Sequence, residues 1–290
     1  MVNTPPNSAR QLDQFYTNPK VAKTLYKMTK EWLKKENIKP TQWIEPSAGD
    51  GAFWKLLPKS KRLGWDLEPK TAGVMRGDFL ISATSLKHGV DSDIETGKNE
   101  YWVAIGNPPF GKNSAKAVAF FNACALSCQT IAMIFPQTFK KSSVQRRLHP
   151  QFHLASEMVL GEQSFIFKNE PYNVPCVFQI WRKQDNKRPT TNATAEHIDF
   201  KFVIREKSQF AIQRVGANAG KVKTDLRLIS SSSHYFIQAS RHVQDILNQY
   251  HQQGGWDEVK YCTAGNPSIS KSELVAGYHQ AQKILLNITP

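Results

Sequence analysis

The sequence predicts an α/β protein, doubly wound about a mostly parallel sheet, with a smaller C-terminal α+β extension. Three observations carry that expectation. Short apolar runs of strand length, TQWIE (41–45), RLGWD (62–66), YWVAIG (101–106) and TIAMIFP (130–136), alternate with helical patterns. A polar stretch, RKQDNKRPTTNATAE (182–196), separates this regular part from a less regular one. The length, 290 residues, suits one large domain or one domain with an appendage.

The elements follow in order. Residues 1–12 are expected to be disordered. Asn18-Pro19 reads as a helix start, with asparagine as N-cap and proline at the first helical position. Val21, Leu25, Met28 and Trp32 then recur at helical spacing. The strand 41–45 leads into PSAGDGAF, and a helix is expected to run on through Leu57, stopped by Pro58. The strand 62–66 comes next. Residues 81–99 read as a polar excursion around a weak helix. The strand 101–106, a helix over 114–128 and the strand 130–136 complete the alternation. HLASEMVL (153–160) and VPCVFQIW (174–181) read as further strands. Beyond the linker come short strands near 199–215, a helix around 239–252 and a mixed tail. The domains expected are therefore 1–183 and 184–290.

Composition narrows the function. At 40% hydrophobic the chain can bury a core, and no run approaches the ~20 apolar residues of a membrane span. No apolar signal segment opens MVNTPPNSARQLDQ, so a cytoplasmic protein is expected, or a nuclear one, with no membrane partner. Cys124 and Cys128 are four apart on a predicted helix, but no second Cys/His pair stands at metal spacing. With Cys176 and Cys262 they read as reduced structural thiols, and no metal site is expected. Charge is the strongest signal: 38 basic against 24 acidic residues, net +14. Residues 1–183 hold 25 basic and 15 acidic residues, and residues 184–290 hold 13 and 9. A polyanion, most often nucleic acid, is the partner such a balance suggests. The first part carries most of the excess.

One constellation carries chemistry. In IEPSAGDGAF, Gly49 and Gly51 flank Asp50 directly after a strand, where glycine lets the backbone turn sharply and approach a ligand. Trp54 stands where a dinucleotide motif would need its third glycine, which disfavours a pyrophosphate cradle. Asp66 ends the next strand, with Glu68 after it. An acid at that position is placed to accept ribose hydroxyls. Asp78, in RGDFL, falls near the end of a third strand, where a carboxylate can accept an exocyclic amine, and Phe79 can pack on a purine ring. Taken singly each acid reads as a solvated turn residue; their order along successive strand ends points to a nucleoside pocket. Then comes NPPF (107–110), which cannot continue a strand because two prolines remove two donors and fix two φ angles.

FYTNP (15–19), EPSAGDGAF (45–53), DLEP (66–69), GDFL (77–80) and NPPF (107–110), in that order, resemble the S-adenosyl-L-methionine-dependent amino-group methyltransferases of the gamma motif order. The resemblance covers roughly residues 13–183. It implies a class I methyltransferase-like, Rossmann-like fold, with Thr17 at the methionine end of the cofactor. Glu45, Pro46, Ala48, Gly49 and Gly51 would form its turn, Asp66 would hold the ribose, and Asp78 with Phe79 the adenine. Asn107, Pro108, Pro109 and Phe110 would be the catalytic loop, with Asn107 also facing the cofactor. An aromatic amino group is a poor nucleophile because its lone pair is delocalised. Two acceptors for its hydrogens, the Asn107 side-chain oxygen and the Pro108 carbonyl held rigid by Pro109, would return electron density to the nitrogen. Phe110 offers a stacking face, and in-line attack on the sulfonium methyl follows from positioning and electrostatics.

The target base would have to leave its stack. Phe165, Phe167 and Tyr172, in SFIFKNEPYNVP, are candidates to clamp its second face, with Phe167 favoured. Lys140, Lys141, Arg146 and Arg147, just beyond a strand end, are candidates for phosphate binding; an exposed basic helix is the plain alternative. Residues 1–183 would then be the catalytic domain and 184–290 a substrate-binding extension, with Gln213, Arg214 and GNPS (265–268) in loops able to touch substrate. The expected reaction is methylation of the N6 amino group of adenine in DNA. RNA N6-adenine methylation, protein glutamine methylation and a non-catalytic nucleic-acid-binding subunit are the alternatives.

Overall fold

The computed structural model describes residues 15–86, 100–167, 170–189, 195–263 and 265–285. The expected disorder of 1–12, the 87–99 part of the polar excursion and residues 190–194 of the linker lie outside the described residues. The chain divides into two compact units. One comprises 1–139 with 143–189; the other comprises 140–142 with 190–290.

In the first unit, strand β1 (Tyr16–Thr17) precedes helix α1 (Pro19–Lys35). The Asn18 side chain accepts the Lys20 N–H at 3.0 Å, and Pro19 opens the helix, as the capping logic requires. Strands β2 (Gln42–Glu45), β3 (Arg62–Asp66) and β4 (Met75–Arg76) follow, then helix α2 over residues 79–86. Next come β5 (Trp102–Gly106), α3 (Ala115–Cys124) and β6 (Thr130–Pro136), then β7 (Phe152–Val159), β8 (Phe165–Phe167), β9 (Glu170–Tyr172) and β10 (Cys176–Lys183). Seven strands form one sheet in the order β4-β3-β2-β5-β6-β10-β7. The pairs β3/β4, β2/β3, β2/β5 and β5/β6 are parallel; β10 runs antiparallel to both β6 and β7.

Side chains alternate across this sheet with period two. Trp43, Val103, Ile105, Ala132, Ile134, Phe178 and Ile180 pack with Ala22, Leu25 and Leu33 of α1. Ile44, Ala104, Ile131, Met133, Phe135, Val177 and Trp181 face the other way, against Phe79 and Ala83 of α2 and Phe121 and Cys124 of α3. Both faces are covered, so the mixed, mostly parallel sheet is doubly wound.

Two expectations are corrected. No α-helix follows β2. Residues 48–53 turn, and only a single 3₁₀ turn, Trp54–Leu56, forms before Pro58. Gly49 (φ +54°) and Gly51 (φ +83°) are left-handed, which the α conformation forbids. The linker also begins later than expected, because Arg182 and Lys183 lie in β10 and Arg188 is fastened to the first unit. The Arg188 guanidinium donates to the carbonyls of Gln145 (2.7 Å), His149 (3.3 Å) and Phe152 and stands over the Trp181 ring at 5.3 Å. Cys124 and Cys128 are buried free thiols. Burial pushes both upward from the ordinary thiol range, Cys128 to about 12.

The second unit holds strands β11 (Phe200–Phe202), β12 (Phe210–Gln213), β13 (Val222–Lys223) and β14 (His234–Ala239) and helices α4 (Arg241–Gln252) and α5 (Lys271–Leu285). The four strands pair antiparallel in the order β11-β14-β12-β13. Phe210, Ile212 and Ile237 pack against Leu247, Tyr250, Leu274 and Tyr278. Gln213, expected in a loop, instead ends β12 and pairs with His234. The loops at Arg214 and GNPS hold each other: Ile269 N–H donates to Arg214 O at 2.9 Å and Gly216 N–H to Pro267 O at 2.8 Å.

Candidate active site

Strand order reverses between β2 and β5. From β2 the chain steps outward to β3 and β4; from β5 it steps the other way to β6. The connections leaving the carboxyl ends of β2 and β5 therefore diverge and open a crevice, the place where open α/β sheets take ligands. A cavity of about 390 Å³ lies there, within the range of small-molecule sites. Thr17, Glu45, Pro46, Ala48, Gly49, Asp66, Asp78, Phe79, Asn107 and Pro109 all line it. Segments far apart in the chain thus close at one sheet edge.

The glycine turn forms one wall. Ala48 N–H donates to Trp65 O at 2.9 Å and Gly51 N–H to Ala48 O at 2.8 Å, tying the turn to β3 and to itself. A Cβ on Gly49 would stand 3.2 Å from the Tyr16 ring. A Cβ on Gly51 would come 2.6 Å from Thr71 Oγ1. Gly51 does not line the cavity; it shapes the turn from behind. Asp66 accepts the Gly49 N–H (2.7 Å) on one carboxylate oxygen and the Glu68 N–H (2.8 Å) on the other. A carboxylate has about four acceptor positions, so it holds the turn and keeps capacity for hydroxyl donors. Asp78 caps α2 by accepting the Leu80 N–H at 2.9 Å. Phe79 is a core residue that also lines the cavity, packed against Trp65 (5.3 Å) and Phe120 (6.1 Å).

Two buried oxygens in the cavity wall have no hydrogen-bond partner among the described residues: Glu45 Oε2 and Asn107 Oδ1. The Asn107 amide is oriented, because its Nδ2 donates to the Phe15 carbonyl at 3.1 Å. That carbonyl can only accept, so the amide oxygen must face the other way. Burial pushes the Glu45 carboxyl well above its ordinary range, and the nearby Asp50 and Asp66 charges add to the rise. A backbone bond from Trp54 and the Arg62 charge oppose it more weakly. A carboxyl in that condition favours the proton until a cation or donor arrives.

In the catalytic-loop candidate, Pro108 is buried. Phe110 is half-buried, packs against the hydrophobic cores on both faces and does not line the cavity. Its carbonyl accepts the Ala117 N–H at 3.1 Å. Gly111, Asn113 and Ser114 then take φ of +67°, +52° and +60°. Two non-glycine residues in that region store strain, held by the Ser114 hydroxyl 2.6 Å from that of Thr138 and by Arg147, which donates to Asn113 O at 3.0 Å.

The other expected substrate-binding residues fall elsewhere. Phe167 does not line the cavity. It packs beside it, 6.0 Å from Phe15 and 5.8 Å from Tyr172, while Phe15 and Tyr172 stack at 5.0 Å. Phe165 is fully buried in the core. Arg146 and Arg147 are exposed and off the cavity. Lys140 and Lys141 belong to the second unit. The Lys141 amine is held against Glu273 (3.3 Å) and Ser268 O (3.1 Å).

Phe15, Tyr16, Lys70 and Lys116 also line the cavity, and sequence reasoning does not find them. Phe15 and Tyr16 stand inside FYTNP, where the resemblance singles out Thr17 alone. Lys70 donates to the Tyr16 hydroxyl at 2.5 Å, a bond that raises its pKa. Nothing in the spacing of Lys70 or Lys116 marks them.

No family model matches this chain, and no curated protein matches it. Among solved structures, one likeness is to a protein of Pyrococcus horikoshii assigned as an RNA methyltransferase. It has 13% identity and a TM-score of 0.42, covering 63% of this chain and 92% of that one. A superposition that loose does not speak to chemistry.

Proposed function

We propose that this chain is an S-adenosyl-L-methionine-dependent methyltransferase acting on the N6 amino group of adenine in nucleic acid, DNA in preference to RNA. The observation that carries the reading is the Asn107 amide, locked through Nδ2 to Phe15 O with its oxygen buried, partnerless among the described residues and at the cavity wall. An oriented acceptor of that kind is what an exocyclic amine requires.

The residues present fit the cofactor. Asp66 and Glu68 offer acceptors for ribose hydroxyls. Asp78 and Phe79 suit an adenine ring and its amine. Thr17 and the Gly49 turn border the remaining length of the cavity, and the orphaned Glu45 oxygen suits a cationic ligand. When bound there, S-adenosyl-L-methionine supplies an electrophilic methyl group. Asn107 Oδ1 accepts one hydrogen of the target amine, and the Pro108 carbonyl, whose φ-restrained successor Pro109 limits its motion, accepts the other. The two bonds draw electron density onto the nitrogen and orient its lone pair. Phe15, which lines the cavity and is backed by Phe167 and Tyr172, supplies an apolar face for an extruded base. Residues 1–183 act as the catalytic domain and 184–290 as a substrate-binding extension.

The test is transfer of labelled methyl from S-adenosyl-L-methionine to duplex DNA, single-stranded DNA, structured RNA and protein, with digestion to nucleosides and Asn107→Ala as control. N6-methyladenine in DNA that disappears with the substitution supports the reading. Label confined to RNA or to glutamine side chains overturns the substrate. Cofactor binding without transfer to any of them overturns the activity.

A further inference from the structure

The end of the first unit's sheet away from the cavity carries a second feature. The C-terminal turns of α1, the approach to β2 and the loop before β3 enclose a groove of about 690 Å³. Its floor is apolar: Leu33, Ile38, Pro40, Trp43 and Pro58, with the half-buried ring of Tyr26 set edge-on to Trp43 at 5.5 Å. Its rim is four exposed lysines, Lys30, Lys34, Lys39 and Lys61. None of the four has a carboxylate within ion-pair distance among the described residues. Lys30 instead stands over the Tyr26 ring at 4.7 Å.

Helix chemistry accounts for only part of this. Cations gather at helix C-termini because they complement the dipole, which explains Lys34 and its neighbour Lys35. It does not explain Lys39 and Lys61, which lie outside the helix. The local balance is lopsided too. Residues 19–40 carry seven lysines and two glutamates, and residues 55–62 carry three lysines and an arginine with no acid. Of those two glutamates, Glu36 is bonded to Arg182 at 2.6 Å and Glu31 lies 3.7 Å from Lys27, so neither neutralises the rim.

We infer that this groove binds a single-stranded stretch of nucleic acid, its phosphates on Lys30, Lys34, Lys39 and Lys61 and its bases against the apolar floor. Unpaired cations around an apolar, aromatic-bearing trough are the arrangement that takes single strands without reading sequence. A duplex keeps its bases inside and leaves the floor uncovered. The groove draws on β2 and β3 at their amino ends, whereas the cavity draws on their carboxyl ends. It is a separate surface, and strand binding there does not depend on methyl transfer at the cavity.

The experiment is fluorescence anisotropy of the full chain with fluorescein-labelled dT20, a 20-base-pair duplex and, separately, vesicles containing phosphatidylserine, across a salt series with no cofactor added. The variant replaces Lys30, Lys34, Lys39 and Lys61 by glutamine. The control replaces four exposed lysines outside the groove, Lys23, Lys35, Lys187 and Lys207. Circular dichroism confirms that both fold. The expected result is a log–log salt slope for dT20 reduced by about 3 in the groove variant, at roughly 0.7 for each phosphate that is no longer neutralised, and by less than about 1 in the control. Tyr26→Ala should weaken dT20 binding more than duplex binding. Equal reductions in groove variant and control would show a diffuse charge effect and overturn the inference. So would a groove variant that is impaired only toward duplex or vesicles.

Discussion

Asn107 Nδ2 donates to the carbonyl of Phe15 at 3.1 Å, across 92 residues of chain. Phe15 is itself stacked on Tyr172 at 5.0 Å, and β1 is paired with β8. The orientation of one amide at the end of β5 thus depends on the segment before α1 and on a hairpin placed after β7.

Asn107→Ala removes the oriented acceptor. Methyl transfer should fall by about 10²-fold or more, the scale for removing a preorganised polar group, with the thermal midpoint little changed. Single-turnover assays with labelled cofactor check this. Wild-type transfer rates in the variant would refute the role.

Glu45 should make stability depend on pH. Its folded-state pKa is raised above the ordinary 4.5, so the folded state holds a proton that the unfolded chain has already released. Stability from this group is full below the unfolded value and is lost as pH rises toward the folded one. Urea unfolding at a series of pH values from the ordinary carboxylate range up to neutrality should show the wild type losing stability relative to Glu45→Gln as pH rises. Parallel curves for the two proteins would contradict it.

Gly49→Ala places a Cβ on a residue at φ +54° and 3.2 Å from the Tyr16 ring. The backbone conformation costs about 1–2 kcal/mol for an L-residue, and Tyr16 must shift at the cavity wall. Calorimetry should show weaker binding of S-adenosyl-L-methionine as well as a lower midpoint. A fall in stability alone would place the glycine in folding only.

Lys141 and Glu273 form a buried pair at 3.3 Å. Glu273 also closes a capping box with Ser270, accepting its N–H at 2.7 Å. Lys141→Ala leaves a buried carboxylate, for which a destabilisation of about 3 kcal/mol is expected. Because that charge is already neutralised, the salt slope for nucleic acid should hold steady. A reduced slope with unchanged stability would identify Lys141 as a phosphate ligand.

Much of the fold is legible in the sequence because it rests on local chemistry. The Asn18-Pro19 cap, the runs that form β2, β3, β5 and β6, and the acids after β3 and β4 are signals carried by adjacent residues. The helix expected through Leu57 does not form, for a reason that is also local: Gly49 and Gly51 bend the chain left-handed. The later start of the linker has a non-local cause, since Arg188 is satisfied by carbonyls that lie some forty residues earlier.

The sequence by itself determined the periodicities, the caps, the excess of positive charge and which polar residues stand at strand ends. These depend on composition and on spacings within a turn or a strand. Only the tertiary structure decided that Asn107 is held by Phe15, that Lys141 is neutralised by Glu273, that Phe167 packs beside the cavity, and that four lysines from three segments ring one groove. Each of those depends on which distant segments meet and on which polar groups burial leaves without water. Spacing along the chain does not encode that.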